Sequence, residues 1–126
     1  MWHRHVGMIA LLGLSTACGA SRSTVASEPA PSSNDLPVQI DNQNFSDMDI
    51  YVVRDGQRWL VGHAGGLSKT TLVIRDAVRP AGRVRLLAEP IGGVRTVVTP
   101  SLIVPPGEGI FWTIGSNLGT STAFTG

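Results

Sequence analysis

The 126-residue sequence is poor in charge, in cysteine and in aromatic residues. Its formal net charge is +1 with 15% charged residues, so it lacks the concentrated basic surface of a nucleic-acid-binding protein. The single cysteine excludes an internal disulfide framework and a zinc site built on four cysteines. P-loop, dinucleotide-binding and haem-attachment motifs are absent, as are internal repeats, so no cofactor is expected. The length suggests one domain at most.

The first 17 residues have the composition of a secretory signal peptide. Residues 1–5 carry one Arg and two His without an acidic residue, and the apolar segment Val6–Leu14 follows. A helix of about nine residues rises only about 14 Å, whereas crossing a bilayer core takes about 20 residues. The apolar segment therefore has the length of a signal-peptide core and is too short for a transmembrane anchor.

The residues that follow, Leu14-Ser15-Thr16-Ala17-Cys18, resemble the lipobox of bacterial lipoproteins. In that family two small residues precede the cysteine that receives the lipid, and Thr16 and Ala17 hold those positions here. Ser15 stands where the family usually has Leu. In this sequence the leucine, Leu14, lies one place further back. The resemblance implies that residues 1–17 are removed and that Cys18 is acylated, for example with palmitate. The alternative is ordinary secretory cleavage that leaves Cys18 as an incidental thiol.

Lipidation would attach the chain to a membrane, because two or three acyl chains hold a protein firmly where one holds it weakly. The residue after Cys18 is Gly19 and not Asp. In lipoproteins of two-membrane bacteria, this resembles the signal for sorting to the outer membrane. The resemblance thus implies export across the inner membrane and anchoring in the outer membrane, facing the periplasm or the cell surface.

Residues 18–36 are rich in Ser, Ala and Pro, which predicts a flexible linker.

Residues 37–126 have the alternating pattern of a small β domain. Apolar and polar residues alternate in short runs, with breaks every eight to twelve positions, which is typical of an all-β sandwich or barrel. Helical periodicity is interrupted by Gly or Pro throughout, so little or no helix is expected. Strands are predicted near residues 38–44, 48–54, 58–63, 69–75, 83–89, 94–99, 101–104 and 109–115, with a further one in the tail 120–125.

The predicted architecture is similar to the immunoglobulin-like domains of bacterial surface proteins: an antiparallel β-sandwich of about 7–9 short strands. The paired cysteines of antibody domains are absent, so the similarity concerns architecture alone. Hairpin turns are predicted at Asp55-Gly56 and Gly92-Gly93, and a type II turn at Gly107. The side chains expected in the core are Ile50, Val52, Leu60, Leu72, Ile74, Val84, Leu86, Ala88, Val94, Val98, Leu102, Val104, Ile110, Trp112 and Ile114. Trp59 is also expected to pack inside.

Residues with catalytic or metal-binding chemistry are few. His63 is the one histidine after the predicted signal peptide, and a pairing of His63 with Ser68 as base and nucleophile lacks the G-x-S-x-G motif. Asp47-Met48-Asp49, near Asn42 and Asn44, offers oxygens to Ca²⁺ without the spacing of an EF-hand loop. We therefore predict a surface His63, a solvated acidic loop, no metal site and no enzymatic activity.

Arginines form the most prominent cluster of one chemical type. Arg75, Arg79, Arg83, Arg85 and Arg95 lie within 21 positions, with two acidic residues among them. Strand alternation places Arg83 and Arg85 on one face, and a hairpin at Gly92-Gly93 would bring Arg95 across from them. Arg75, Arg83, Arg85 and Arg95 are therefore the candidate face for an anionic ligand. The alternative is a solvated sheet face that keeps the domain soluble.

Three functional interpretations remain at this point. The first is a lipid-anchored, non-enzymatic protein of the cell envelope that acts as a structural or protein-interaction module. The second is a binding module for an anionic envelope glycan or a phosphate-bearing ligand. The third, a small hydrolase, ranks last because its catalytic groups are missing. The expected partners are the membrane, through the N-terminal lipid, and an envelope protein or anionic polymer; nucleic acid is not expected.

Overall fold

The computed structural model describes residues 34–126, which form two packed β-sheets. The predicted signal peptide, Cys18 and most of the predicted linker lie outside the described residues. The nine strands are β1 (Leu36–Asn42), β2 (Met48–Arg54), β3 (Gln57–Ala64), β4 (Ser68–Ile74), β5 (Arg83–Pro90), β6 (Val97–Val98), β7 (Leu102–Ile103), β8 (Ile110–Ile114) and β9 (Thr122–Thr125). Single 3₁₀ turns at Asp76–Val78 and Leu118–Thr120 are the helical content of the described residues. The predicted all-β class is confirmed.

The strands divide into a four-stranded and a five-stranded sheet. The four-stranded sheet has the order β4-β1-β8-β9, and the five-stranded sheet has the order β3-β2-β5, with β6 and β7 both pairing to β5. Every pairing is antiparallel except that of β1 with β8, which run parallel. The first strand therefore lies in the middle of its sheet, which gives the beginning of the domain ladder hydrogen bonds on both sides.

The core lies between the two sheets and follows from strand alternation. On β1 the side chains of Leu36, Val38 and Ile40 are buried while Pro37 and Gln39 are exposed, which is the period of two expected for a strand with one wet face. The same alternation runs through β2, β5 and β8. Across the core the buried side chains include Trp112, Ile110, Ile114, Ile50, Val52, Val84, Leu86 and Met48.

The turns predicted from sequence are confirmed at three positions. Asp55 and Gly56 both have positive φ, of 51° and 74°, as a two-residue hairpin between β2 and β3 requires. Gly92 (φ 78°) lies in a turn closed by the Gly93 amide donating to the Pro90 carbonyl at 3.0 Å. Gly107 (φ 83°) lies in the turn that precedes β8.

A bulge in the edge strand β3 corrects the prediction for Leu60. The pairing of β2 with β3 shifts between Ile50 and Tyr51, so that Val61 is an extra residue. After the bulge, Gly62 and Ala64 face the interior. Before it the parity is reversed, so Leu60 lies opposite the outward Tyr51 and is exposed. Trp59 lies opposite Val52 at the sheet edge and is about half exposed, so its predicted burial is only partial.

The predicted strand 94–99 is shorter than expected, which corrects two core assignments. Only Val97 and Val98 pair with β5, and the register sets Val98 opposite the outward Leu87. Val97 therefore packs against the core while Val98 is exposed. Val94 lies in the preceding loop and is 98% exposed.

The loops gather at two ends of the sandwich, the near end and the far end. The near end holds the start of β1 at Leu36, with loops 55–56, 75–82 and 104–109. The far end holds the loops 43–47, 65–67, 91–96 and 115–121. A chain arriving from the predicted linker thus joins the domain at the near end, and the far end lies one strand length away.

Candidate functional site

The outer face of the five-stranded sheet carries two of the four arginines proposed for an anionic ligand. Arg83 and Arg85 both point outward from β5, as alternation predicted. Arg83 lies opposite Ile103 and Arg85 opposite Val53. Neither guanidinium has a carboxylate partner within the described residues. This face therefore presents two unneutralised positive charges beside apolar side chains.

The other two arginines of the proposed face lie elsewhere. Arg75 follows β4, in the four-stranded sheet, and its Nη1 is 3.1 Å from Asp35 Oδ2 at the near end. Arg95 lies in the loop 91–96 at the far end, and the residue that faces Arg83 across the sheet is Ile103 instead. The four residues do not form one surface, because Arg75 follows a strand of the other sheet and Arg95 lies one strand length away from Arg83, at the far end.

His63 and Ser68 do not form a catalytic pair. His63 is exposed on β3, and its Nδ1 is 2.5 Å from Oδ1 of Asp49, directly opposite on β2. The Ser68 hydroxyl donates instead to the Gly65 carbonyl at 2.7 Å. Beside this pair, Arg58 forms an ion pair with Glu89 and lies 4.8 Å from the centre of the Tyr51 ring. These contacts join strands β3, β2 and β5 across their outer face.

The acidic loop considered for calcium is occupied by internal hydrogen bonds. Asp47 accepts the Gly66 amide at 2.8 Å and Asp49 contacts His63. Within residues 34–126 no group of three or more His, Cys, Asp or Glu side chains is placed to hold a metal ion.

A shallow groove crosses the outer face of the four-stranded sheet. Its wall is formed by Phe111 on β8 and Phe124 on β9, whose rings stack with centroids 5.2 Å apart and planes inclined by 14°. Gln39, Asp41 and Lys69 lie on the neighbouring strands and line the rest of it. The pairing of β9 with β8 brings the two rings together. The groove is a second exposed surface with both apolar and polar groups.

The far end is organised around a buried amide. Asn42, the last residue of β1, is fully buried, and its Nδ2 donates to the carbonyls of Ser46 at 2.9 Å and Gly65 at 3.0 Å. Its Oδ1 accepts the Asn44 amide at 3.0 Å. A buried polar group of this kind must be hydrogen-bonded, and a satisfied one fixes the segments that it joins. Asn42 therefore holds the loops 43–47 and 65–67 in one arrangement.

Exposed apolar side chains stand on these fixed loops. Phe45 is 83% exposed, and Leu67, Ile91 and Val94 are exposed with it. The loops that carry them are tied together, because the Leu67 amide donates to the Asn44 carbonyl and the Ile91 amide to the Asp47 carbonyl, both at 2.9 Å. The far end is thus a set of apolar tips on a hydrogen-bonded base. We call Phe45, Leu67, Ile91 and Val94 the far-end tips.

The far-end tips were not among the residues predicted to be functional. Val94 was expected in the core, and Phe45, Leu67 and Ile91 were given no role. A signal was present: each of the four is a large apolar residue beside Gly, Asn or Pro, where alternation has stopped. An apolar residue at such a position is not explained by burial in a strand, which makes it a candidate for contact with another molecule.

Comparisons with known proteins add no further assignment. The chain matches no family model, no curated protein and no solved structure. Within residues 34–126 there is no helix long and apolar enough to cross a membrane. The fold defines the chain as a small β-sandwich protein, and its candidate functional surfaces are the far-end tips and the arginine-bearing sheet face.

Proposed function

We propose that this protein is a lipid-anchored component of the cell envelope, held through an acylated Cys18, and that it acts as a non-enzymatic structural or interaction module. The lipobox-like sequence Leu14–Cys18 supports the anchor. The observation that carries the interaction role is the position of the far-end tips. They lie at the end of the sandwich opposite Leu36, where the chain from Cys18 joins the domain.

The described residues favour binding over catalysis in this proposal. His63, Asp49, Arg58 and Glu89 contact one another across strands. These contacts stabilise the pairing of the strands. The exposed apolar side chains of the far-end tips have no such role in the fold, which favours contact with another molecule.

The anchor is tested by replacing Cys18. The Cys18→Ala chain is expected to leave the membrane fraction, because removing two or three acyl chains removes about 0.8 kcal/mol for every buried methylene group. The measurement is membrane fractionation of both chains, together with the mass of the mature N-terminus. Membrane-bound wild-type protein with no acyl mass on Cys18 would refute the anchor.

The interaction role is tested by a photo-reactive phenylalanine analogue placed in cells at position 45. An envelope component is expected to be cross-linked at this position. The matched control is the same analogue in place of Gln57, which is exposed in the hairpin at the near end. Equal cross-linking at both positions, or none at position 45, would contradict the proposal.

A second candidate function is binding of an anionic envelope polymer by Arg83 and Arg85. The supporting observation is that both side chains leave β5 on the same face with no carboxylate partner among the described residues. Charge-assisted contacts with phosphate or sulfate groups would then be favourable.

We expect the double substitution Arg83→Glu/Arg85→Glu to abolish retention on immobilised polyphosphate or dextran sulfate. Arg95→Glu makes the same change of charge per site at the far end and should leave most of the retention. Column elution at increasing salt measures the effect. A wild-type protein that is not retained at low salt would exclude this second function.

A further inference from the structure

We infer that the far-end tips insert into the bilayer surface to which Cys18 is attached, so that the sandwich is held to the membrane at both of its ends. This inference rests on the proposed lipid anchor and names the partner of the far end: a phospholipid surface. It differs from the anchor itself, because the insertion would be made by side chains of the folded domain.

The far-end tips are strongly exposed. Val94 is 98% exposed and Phe45 83% exposed, so both side chains project beyond the surrounding surface. They stand on separate loops together with Leu67 and Ile91. A fluid lipid surface can close around each of these separate side chains. A rigid protein partner would need a separate pocket for each of them, so the arrangement favours a lipid surface. Aromatic and aliphatic side chains gain free energy when they leave water for the interface.

The backbone is strained at one of the tips, Leu67. Leu67 has φ 51°, in the left-handed region that Gly and Asn occupy more readily than Leu. Gly66 beside it is required, because a Cβ there would lie 2.2 Å from the Phe45 carbonyl oxygen. Leu67 thus has a backbone conformation that is unfavourable for leucine, and its side chain is exposed to water. It therefore adds nothing to the stability of the fold. Such outliers collect at functional positions.

The groups around the tips are polar and carry little net charge. Asn44, Ser46, Ser116 and Asn117 provide uncharged polar groups between them. The Asp47 carboxylate accepts the Gly66 amide. Arg95, next to Val94, has no side-chain partner within the described residues. The charges here are thus one cation, Arg95, and one exposed carboxylate, Asp47, among amides and hydroxyls. This balanced polar rim suits a headgroup layer in which phosphate groups lie beside positively charged groups.

The chain between the proposed anchor and the domain is long enough to let the far end reach the membrane. Cys18 and Leu36 are 18 positions apart, and a fully extended chain of that length spans about 60 Å. β1 has seven residues, so the far end lies only about 23 Å beyond Leu36. The chain is therefore long enough for the far end to turn toward the membrane that holds Cys18. Tethering also raises the effective concentration of the tips at that surface, so weak insertion suffices.

The test uses the full lipoprotein reconstituted in vesicles of phosphatidylcholine and phosphatidylglycerol. Val94→Cys is labelled with the environment-sensitive fluorophore NBD; acylation of Cys18 leaves residue 94 as the single reactive thiol. The matched control is Ala81→Cys, exposed at the near end. We expect a blue shift and quenching by nitroxide-labelled lipid for the label at 94, and water-like emission for the label at 81.

A second pair of variants separates insertion from folding. Leu67→Asn introduces a residue type that tolerates positive φ better than leucine does, so the domain should be at least as stable as the wild type. The inserted-to-free ratio should nevertheless fall about tenfold, because about 1.4 kcal/mol of apolar transfer corresponds to a factor of ten. Phe45→Ser should have a similar effect, and the two together should lower the ratio about a hundredfold.

The outcomes distinguish failure of this inference from failure of the anchor. Protein that pellets with the vesicles while the labels at 94 and 81 emit alike overturns the inference and leaves the anchor intact. Protection at 94 in native envelope membranes but not in protein-free vesicles also overturns it, because the occupant is then a protein. A chain that does not pellet at all overturns both.

Discussion

At the residue scale, Asn42 is the side chain on which the far end depends most. It is fully buried, and its two polar atoms satisfy backbone groups in two loops and hold them beside β1. A surface asparagine would be interchangeable with other polar residues. A buried one whose partners are main-chain atoms is not, because each abandoned partner would lose a hydrogen bond in a site with little water.

We predict that Asn42→Ala lowers the free energy of unfolding by about 2–3 kcal/mol, since the carbonyls of Ser46 and Gly65 and the Asn44 amide all lose their partner. Urea denaturation provides the measurement. The control is Gln39→Ala, because Gln39 is exposed in the middle of the same strand. Its effect should stay within about 0.5 kcal/mol. Two variants of equal stability would show that the Asn42 hydrogen bonds do not determine the far end.

At the element scale, the outer edge of β5 shows how a strand is interrupted without leaving its sheet. β6 and β7 pair with different parts of β5, and Thr99-Pro100 separates them. The Thr99 amide donates to the Leu86 carbonyl, and the Leu86 amide donates back to the Thr99 hydroxyl, each at 2.9 Å. The side chain takes the place of a main-chain acceptor at the point where the ladder breaks.

We expect Thr99→Val to accelerate hydrogen exchange at the Leu86 amide and to destabilise the domain by about 1–2 kcal/mol, because the buried amide loses its acceptor without a change in side-chain shape. Thr99→Ser keeps the hydroxyl and should preserve slow exchange at Leu86, although it loses a methyl group. Exchange measured by NMR decides between them. If Leu86 were equally protected in Thr99→Val and Thr99→Ser, the hydroxyl would not be its acceptor.

The element scale also shows which parts of the fold alternation predicts. The runs with a uniform period of two, such as Arg83–Pro90 and Ile110–Ile114, have the predicted bounds within about a residue and the predicted buried face. The prediction failed at Leu60 and Val98. A bulge changed the parity of β3, and the register against Leu87 turned Val98 outward. Bulges and registers depend on the partner strand, which a single strand's sequence does not contain.

The candidate site was less predictable than the fold, for a related reason. Arg83 and Arg85 were placed together correctly because they share one strand. Phe111 and Phe124 are brought together by the pairing of β9 with β8, and the far-end tips by hydrogen bonds between loops. Contacts of this kind join residues that are far apart in the chain, so local pattern does not reveal them.

At the scale of the whole molecule, the domain has two structurally different ends. The near end receives the chain from the predicted linker and is tied by Arg75 to Asp35 and by Arg79 to the Asn34 carbonyl. The far end carries apolar tips on loops fixed by Asn42. The proposed acylation at Cys18 would place a membrane within reach of both. The two sheet faces would then point sideways, which leaves Arg83 and Arg85 accessible to soluble or polymeric components of the envelope.

The most direct test of this account compares two exposed phenylalanines within one sample by hydroxyl-radical footprinting of the protein in native membranes. Phe45 is 83% exposed at the far end and Phe124 58% exposed on the outer face of the four-stranded sheet. If the far end is the contacting surface, Phe45 will be oxidised less than Phe124, despite its greater exposure in the isolated fold. Oxidation of Phe45 above that of Phe124 would contradict the account.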